Sequence, residues 1–245
     1  MRKEYGLVLI TYILMQFSGF LGIPLLYKIG VSSDLEPNRA EVVAAGYWTV
    51  ISFALATVII LFILKKSTYT NKIESQTPMS VGKSIFWSIA GVFLAYFSQT
   101  IAISIETALG IEQGSENTQS IIQLIEWVPL TMISVAVFGP ILEEIVFRKI
   151  LFGSLYERMP FFFAALVSAF VFSVAHAELE HILLYAAMGF TFAFLYVKTK
   201  RLIVPIVAHV AMNSFVVIVQ YVFKDELDKM MKEAEQMQQF IAWLL

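Results

Sequence analysis

The chain contains no cysteine among its 245 residues. This absence excludes disulfide bonds, thiolate zinc sites, a cysteine nucleophile and a lipid anchor on cysteine. Charged residues are also scarce, at 15 % of the chain, whereas about a quarter is usual in a soluble domain. The 17 basic and 19 acidic side chains give a net charge of −2, so the sequence offers no positive excess for binding nucleic acid.

Apolar residues dominate what is present, at 58 % of the chain with a mean hydropathy of +0.75. A soluble fold could not bury so much apolar surface, so lipid must solvate part of it. Seven stretches are candidate membrane spans: 7–27, 43–64, 84–105, 127–151, 161–176, 182–197 and 203–223. None alternates apolar and polar residues as a strand does. The sequence therefore predicts an all-α polytopic bundle of about seven transmembrane helices.

The two ends of the chain flank this predicted transmembrane domain, which covers 1–223. Two basic residues precede the first apolar run, as in a secretory signal. However, the run extends to Tyr27 and no small-residue cleavage site is evident, so we expect it to be retained as the first span. After the last span, 224–245 carry apolar residues at helical spacing, which predicts an amphipathic helix at the membrane interface.

Basic residues are distributed unevenly between the loops on the two sides of the predicted spans. Seven crossings place twelve of the 17 Lys and Arg residues on the side of the N-terminus and five on the other. On that other side, the loop 106–126 has four glutamates and no basic residue. The positive-inside rule then predicts a multi-pass protein of the cell membrane with a cytoplasmic N-terminus and an external C-terminus.

Ionisable side chains at membrane depth are functional candidates, because burying them in lipid is costly. The fourth segment contains Gly139-Pro140, where we expect the helix to break because proline removes a backbone hydrogen bond. Beyond it, the spacing of four predicts an ion pair between Glu144 and Arg148. Glu143 is rotated about 100° away, toward a polar cavity in which it can act as a base. Charges that snorkel to water near a helix end are the alternative interpretation.

Two later segments carry further polar residues. His176 ends the fifth segment, and His209 and Asn213 share one face of the seventh. Either histidine alone would be an ordinary interhelical hydrogen-bond partner. Together with Glu143 they supply a base, an orienting partner and hydrogen-bond donors, as activation of water and stabilisation of an oxyanion require. The third histidine, His181, is expected to be a solvated loop residue without a catalytic role.

These residues fall into an ordered set that resembles a known family. Three motifs match those of the CAAX protease and bacteriocin-processing intramembrane protease family, also called the ABI family: Glu143-Glu144-x-x-x-Arg148, Phe172-x-x-x-His176 and His209-x-x-x-Asn213. The resemblance covers 139–215, within a motif-bearing core over 127–223. It implies an intramembrane endopeptidase that acts in the bilayer on a membrane-associated peptide or protein.

The resemblance also implies roles for the motif residues. Glu143 with His176 would activate the water, and His209 with Asn213 would stabilise the oxyanion. No cofactor is expected, although the family has been described as metal-dependent as well as glutamate-dependent. If zinc is used, His176 and His209 are the first ligands to examine.

Three further residues would organise the site according to the same resemblance. Glu144 and Arg148 would do so as an ion pair, and Phe172 by packing beside His176.

Other chemistries and functions are less favoured or stay open. The chain has no Gly-x-Ser-x-Gly elbow and no His-Glu-x-x-His motif, which disfavours a serine hydrolase and a zincin-like metalloprotease. A proton-coupled transporter is disfavoured because no repeat symmetry relates the two halves of the chain. A non-catalytic bacteriocin-immunity or signalling adaptor on the same scaffold stays open, because a complete motif set does not prove turnover.

Overall fold

The computed structural model describes residues 3–30, 35–112 and 114–224, and beyond these the six residues 226, 229, 230, 233, 236 and 237. Within this part of the chain the regular structure is helical throughout, which confirms the all-α prediction. The helices are α1 (Lys3–Phe17), α2 (Gly19–Lys28), α3 (Pro37–Lys66), α4 (Val81–Ala108), α5 (Glu116–Trp127), α6 (131–156), α7 (Phe161–Ala175), α8 (Ile182–Thr199) and α9 (Ile203–Val222).

Four of these helices are long and apolar enough to cross a bilayer: α3, α4, α9, and α8 together with the 3₁₀ turn before it. Helices α1 and α2 meet at a bend of 45° and count as a fifth span if they are taken together. Helix α7 is apolar but has only 15 residues, and α6 alternates between α- and π-helical pieces. The protein is therefore a multi-pass helical membrane protein, and seven crossings stays a prediction.

Helix α6 does not break at Gly139-Pro140, so that prediction was wrong. The backbone stays helical from 131 to 156. Ahead of the proline, Ser134–Phe138 form a π-helical turn in which the Gly139 N–H donates to the Ser134 carbonyl. Proline then lies in the first turn of the following α-helical piece, where its missing donor is tolerated. The wider π turn accommodates the proline without interrupting the helix.

Large apolar side chains cover the outside of the bundle. Examples among the many that are more than half exposed are Phe20, Leu21, Val58, Phe86, Phe93, Phe97 and Phe162. Soluble proteins rarely expose so much contiguous apolar surface. Lipid chains are the solvent that such a surface fits, which agrees with the membrane assignment.

Helix α8 lies at the centre of the bundle and packs most extensively against α7 and α4. Its approach to α7 depends on Gly189, because a Cβ at this position would lie 2.6 Å from the Cβ of Ala169. Helix α9 packs against α4 and α6. This arrangement brings the polar residues of α6, α7 and α9 to the same part of the core.

The predicted amphipathic helix over 224–245 falls largely outside the described residues. The domain boundary at 223 also stays a prediction.

Candidate active site

Helix α6 contributes a fully buried ion pair. Glu144 has no exposed surface and Arg148 is 1 % exposed, with Arg148 Nε 3.2 Å from Glu144 Oε2. The pair spans the first turn of the π-helical piece Glu144–Phe152. The ion pair predicted from the spacing of four is therefore confirmed, although the local helix is π rather than α.

Two aromatic rings complete the surroundings of the Arg148 guanidinium. Its Cζ lies 4.4 Å from the centre of the Phe172 ring and 5.3 Å from that of Phe192. Its nitrogen atoms find no acceptor with good hydrogen-bond geometry among the described residues. The buried cation is thus stabilised by the nearby carboxylate and by the negative faces of two rings.

His209 links the two neighbouring glutamates of α6. It is 2 % exposed, its Nδ1 lies 2.9 Å from Glu144 Oε1, and its Nε2 lies 3.7 Å from Glu143 Oε2. A carboxylate oxygen can only accept, so Nδ1 carries the proton of this hydrogen bond when Glu144 is ionised. The ring also stacks on Phe192 at 4.7 Å, which fixes its orientation.

His209 has an unexpected contact with Glu143, and its predicted role beside an oxyanion stays a prediction. The sequence and the family resemblance predict that Glu143 acts with His176. In the described part of the chain, Glu143 forms its ion-pair contact with His209 instead. Glu143 is 18 % exposed and therefore keeps some access to solvent or substrate. The partnership of Glu143 with His176 stays a prediction.

His176 is the C-terminal cap of α7, and contacts on several sides hold its ring. Nδ1 lies 2.8 Å from the Phe172 carbonyl oxygen, which can only accept, so Nδ1 carries a proton. The imidazole packs against the Phe172 ring at 4.4 Å and stacks on Tyr185 at 4.2 Å. The predicted packing of Phe172 beside His176 is confirmed. Nε2 remains as the second ring nitrogen, which can accept or coordinate.

A cavity of about 430 Å³ lies between α4, α5, α8 and α9. All three histidines of the chain, His176, His181 and His209, line it together with Asn213. Glu143 does not line the cavity, but it contacts His209, which does line it. The prediction that Glu143 itself faces the cavity is therefore not confirmed.

The end of the cavity next to the start of α8 holds a polar pair that was not predicted from the sequence. Glu106 is 3 % exposed and accepts hydrogen bonds from the N–H groups of Leu183 and Leu184 at the start of α8. His181 Nδ1 lies 3.1 Å from Glu106 Oε2, and its side chain is only 14 % exposed. The prediction that His181 is a solvated loop residue was wrong, because an acidic residue 75 positions earlier draws it inward. A glutamate at the end of an apolar span was the available signal.

Glu178 is a second missed residue at this end of the cavity. Its carboxylate accepts hydrogen bonds from the Ser115 hydroxyl, the Asn117 N–H and the Tyr185 hydroxyl. Burial alone would raise the pKa of Glu178, but these hydrogen bonds outweigh it and hold the pKa below its usual value. Glu178 is therefore ionised at neutral pH and ties α5 to α8.

Histidine, aspartate and glutamate side chains are also potential ligands of a metal ion. Within the described part of the chain, no three His, Asp or Glu side chains converge as metal ligands. Catalytic zinc sites usually have three protein ligands.

Comparison with known proteins identifies the family. Residues 125–215 match the family described as Type II CAAX prenyl endopeptidase Rce1-like. The chain is 52 % identical over 224 residues to the "Putative membrane peptidase YdiL" of Bacillus subtilis (strain 168), covering 90 % of each chain. It is 33 % identical over 235 residues to the "Membrane-embedded CAAX protease MroQ" of Staphylococcus aureus (strain USA300), covering 93 % of each. The chain belongs to the CAAX protease family.

Membership in the CAAX protease family agrees with the resemblance drawn from the three motifs. The matched region contains every motif residue on α6, α7 and α9. No solved structure matches the chain. The family assignment makes the protein a membrane peptidase at the level of the family.

Proposed function

We propose that the protein is an intramembrane endopeptidase that hydrolyses membrane-associated peptides or proteins with a water molecule activated by glutamate and histidine. The observation that carries this proposal is the contact of His209 with both Glu143 and Glu144 at the edge of a cavity. Two adjacent carboxylates in different surroundings allow two different roles.

Glu143 is the general base in this proposal. Glu144 is fully buried and already contacts Arg148 and His209, so its charge is balanced inside the protein. Glu143 keeps partial exposure and a looser contact of 3.7 Å with His209. A carboxylate with free acceptor capacity next to a cavity is suited to take a proton from water.

His176 helps to hold the same water. Its Nδ1 donates to the Phe172 carbonyl, so Nε2 is the nitrogen that can accept a hydrogen bond from the water. The two residues come from different helices, α6 and α7, and binding of a substrate chain between them would orient the water toward the scissile carbonyl.

The reaction then proceeds without a covalent enzyme intermediate. Glu143 takes a proton from water, and the hydroxide attacks the peptide carbonyl carbon, which becomes tetrahedral. The Asn213 amide donates to the oxyanion, and His209 adds a second donor only when both of its ring nitrogens carry protons. Glu143 returns the proton to the leaving amine as the C–N bond breaks, which yields a carboxylic acid and a free amine. The new acid then loses its remaining proton to solvent and becomes a carboxylate.

The proposed orientation follows the charge of the loops. We place the N-terminus in the cytoplasm and the C-terminus outside, because twelve of the 17 basic residues then lie on the cytoplasmic side. In this orientation the end of the cavity that contains Glu106 and Glu178 faces outside. The substrate would therefore reach the site from the outer leaflet or the external face.

The decisive experiment compares cleavage of a membrane-peptide library by purified wild type and variants in liposomes. Glu143→Gln should lower the cleavage rate by about 100-fold or more, because it removes the base. Asn213→Ala should retain a measurable rate, because only one oxyanion donor is lost. The exposed Glu41→Gln on α3 is the matched control and should cleave like wild type.

Three outcomes would change the conclusion. Cleavage at the wild-type rate by Glu143→Gln would exclude this residue as the base. Complete inhibition by a chelator with recovery on adding zinc would favour a metal-dependent reaction, with His176 and His209 as the first ligands to examine. Binding of peptides by the wild type without any cleavage would favour the adaptor alternative.

A further inference from the structure

His176 lies at the C-terminal end of its helix. It is the cap of α7, and the next residue, Ala177, has a positive φ of 58°. This left-handed turn ends the helix and leads the chain toward Glu178. A side chain at a helix end lacks a following turn to confine it, so contacts with other elements add to those with Phe172 in setting its orientation.

Tyr185 of α8 supplies such a contact from another helix. Its ring lies nearly parallel to the His176 imidazole, with centres 4.2 Å apart and planes at 27°. Tyr185 is itself 8 % exposed. A stacked ring of this kind restricts rotation of the imidazole about its side-chain bonds.

Glu178 in turn fixes Tyr185. The Tyr185 hydroxyl donates to Glu178 Oε2 at 2.6 Å. The same carboxylate accepts from the Ser115 hydroxyl at 2.9 Å and from the Asn117 N–H at 2.8 Å. Glu178 is therefore held from the side of α5 as well, and it forms a rigid support for the tyrosine.

We infer that Tyr185, held by Glu178, is a positioning residue that keeps His176 oriented for the reaction. This inference rests on the proposed function, in which Nε2 of His176 must point at the water. The stacking on Tyr185 and the hydrogen bond to the Phe172 carbonyl together select one ring orientation and one tautomer. No proton passes through the phenol.

The kinetic test uses two substitutions of Tyr185. Tyr185→Phe keeps the stacked ring but loses the hydrogen bond to Glu178, and its turnover number should fall about 3- to 10-fold. Tyr185→Leu also loses the stacking, and its turnover number should fall about 100-fold. The KM should stay near that of the wild type in both. Tyr47→Phe, at an exposed tyrosine on α3, is the matched control.

A spectroscopic test is independent of turnover. The chain has three histidines, so histidine-selective ¹⁵N labelling gives three resolvable sets of ring signals. His176 should show a single tautomer protonated at Nδ1 in the wild type and a mixture of tautomers in Tyr185→Leu, which removes the stacked ring. The His209 signals should not change, because Glu144 holds that ring. They serve as the internal reference for an intact fold.

The outcomes separate this inference from the proposed function. Unchanged His176 signals in Tyr185→Leu would overturn the inference, as would shifted signals with an unchanged turnover number. A raised KM with an unchanged turnover number would make Tyr185 a substrate contact and would also overturn it. If the wild type cleaves nothing, the proposed function fails by itself, and the ¹⁵N signals still decide whether Tyr185 holds His176.

Discussion

Replacing Glu144 with glutamine tests whether the two adjacent carboxylates of α6 have different tasks. Glu144 is fully buried, with Oε2 3.2 Å from Arg148 and Oε1 2.9 Å from His209. Glutamine keeps the shape of the side chain, and its amide oxygen can still accept from His209. The substitution therefore removes mainly the negative charge beside a buried guanidinium.

The expected cost follows from that uncompensated charge. Breaking a buried ion pair by removing one partner costs about 3–5 kcal/mol. We expect the lower end, about 3 kcal/mol, because the rings of Phe172 and Phe192 continue to stabilise Arg148. Native proteins are stable by only about 5–15 kcal/mol. The loss should therefore be large enough to measure without abolishing the fold.

Unfolding by sodium dodecyl sulfate in mixed micelles, followed by the fluorescence of the four tryptophans, measures this loss. Glu143→Gln is the matched control, because its carboxylate is 18 % exposed and lies 3.7 Å from its partner. It should change the free energy of unfolding by less than about 1 kcal/mol. Equal losses in the two variants would refute the division into a structural and a catalytic carboxylate.

Two further predictions concern packing and topology. Gly189→Ala should destabilise the protein by about 1–3 kcal/mol in the same assay, because the new Cβ would lie 2.6 Å from the Cβ and 2.9 Å from the Cα of Ala169. Gly82→Ala, a helical position with nothing within 4 Å, is the control, and equal effects of the two would contradict the close approach of α7 and α8. Reporters fused after Ser120 and after Thr199 should lie on opposite sides of the membrane, outside and inside respectively. Finding both reporters on one side would exclude the proposed topology.

Patterns along one helix were readable from the sequence alone. Apolar runs interrupted by polar loops predicted a helical membrane protein, because only helices and closed barrels satisfy the backbone in lipid. The spacing of four predicted the pair Glu144–Arg148, since both residues belong to one turn. The packing of Phe172 beside His176 was implied by the family resemblance, and both residues also belong to one helix segment.

The local geometry around Pro140 was not readable in this way. A proline in an apolar helix predicts a break, because the residue lacks a donor and its ring crowds the preceding turn. The π-helical turn at Ser134–Phe138 accommodates it instead. Which of the two occurs depends on packing against neighbouring helices, and sequence spacing does not contain that information.

Contacts between helices were decided only by the tertiary structure. Sequence periodicity assigns a residue to a helix face, but the rotation and depth of each helix determine which faces meet. For that reason His209 contacts Glu143, and Glu106 draws His181 into the cavity wall. The stacking of Tyr185 on His176 arises in the same way, because α7 and α8 approach closely at Gly189. The sequence supplied the candidate residues for the chemistry, and the packing of the bundle determined which of them touch.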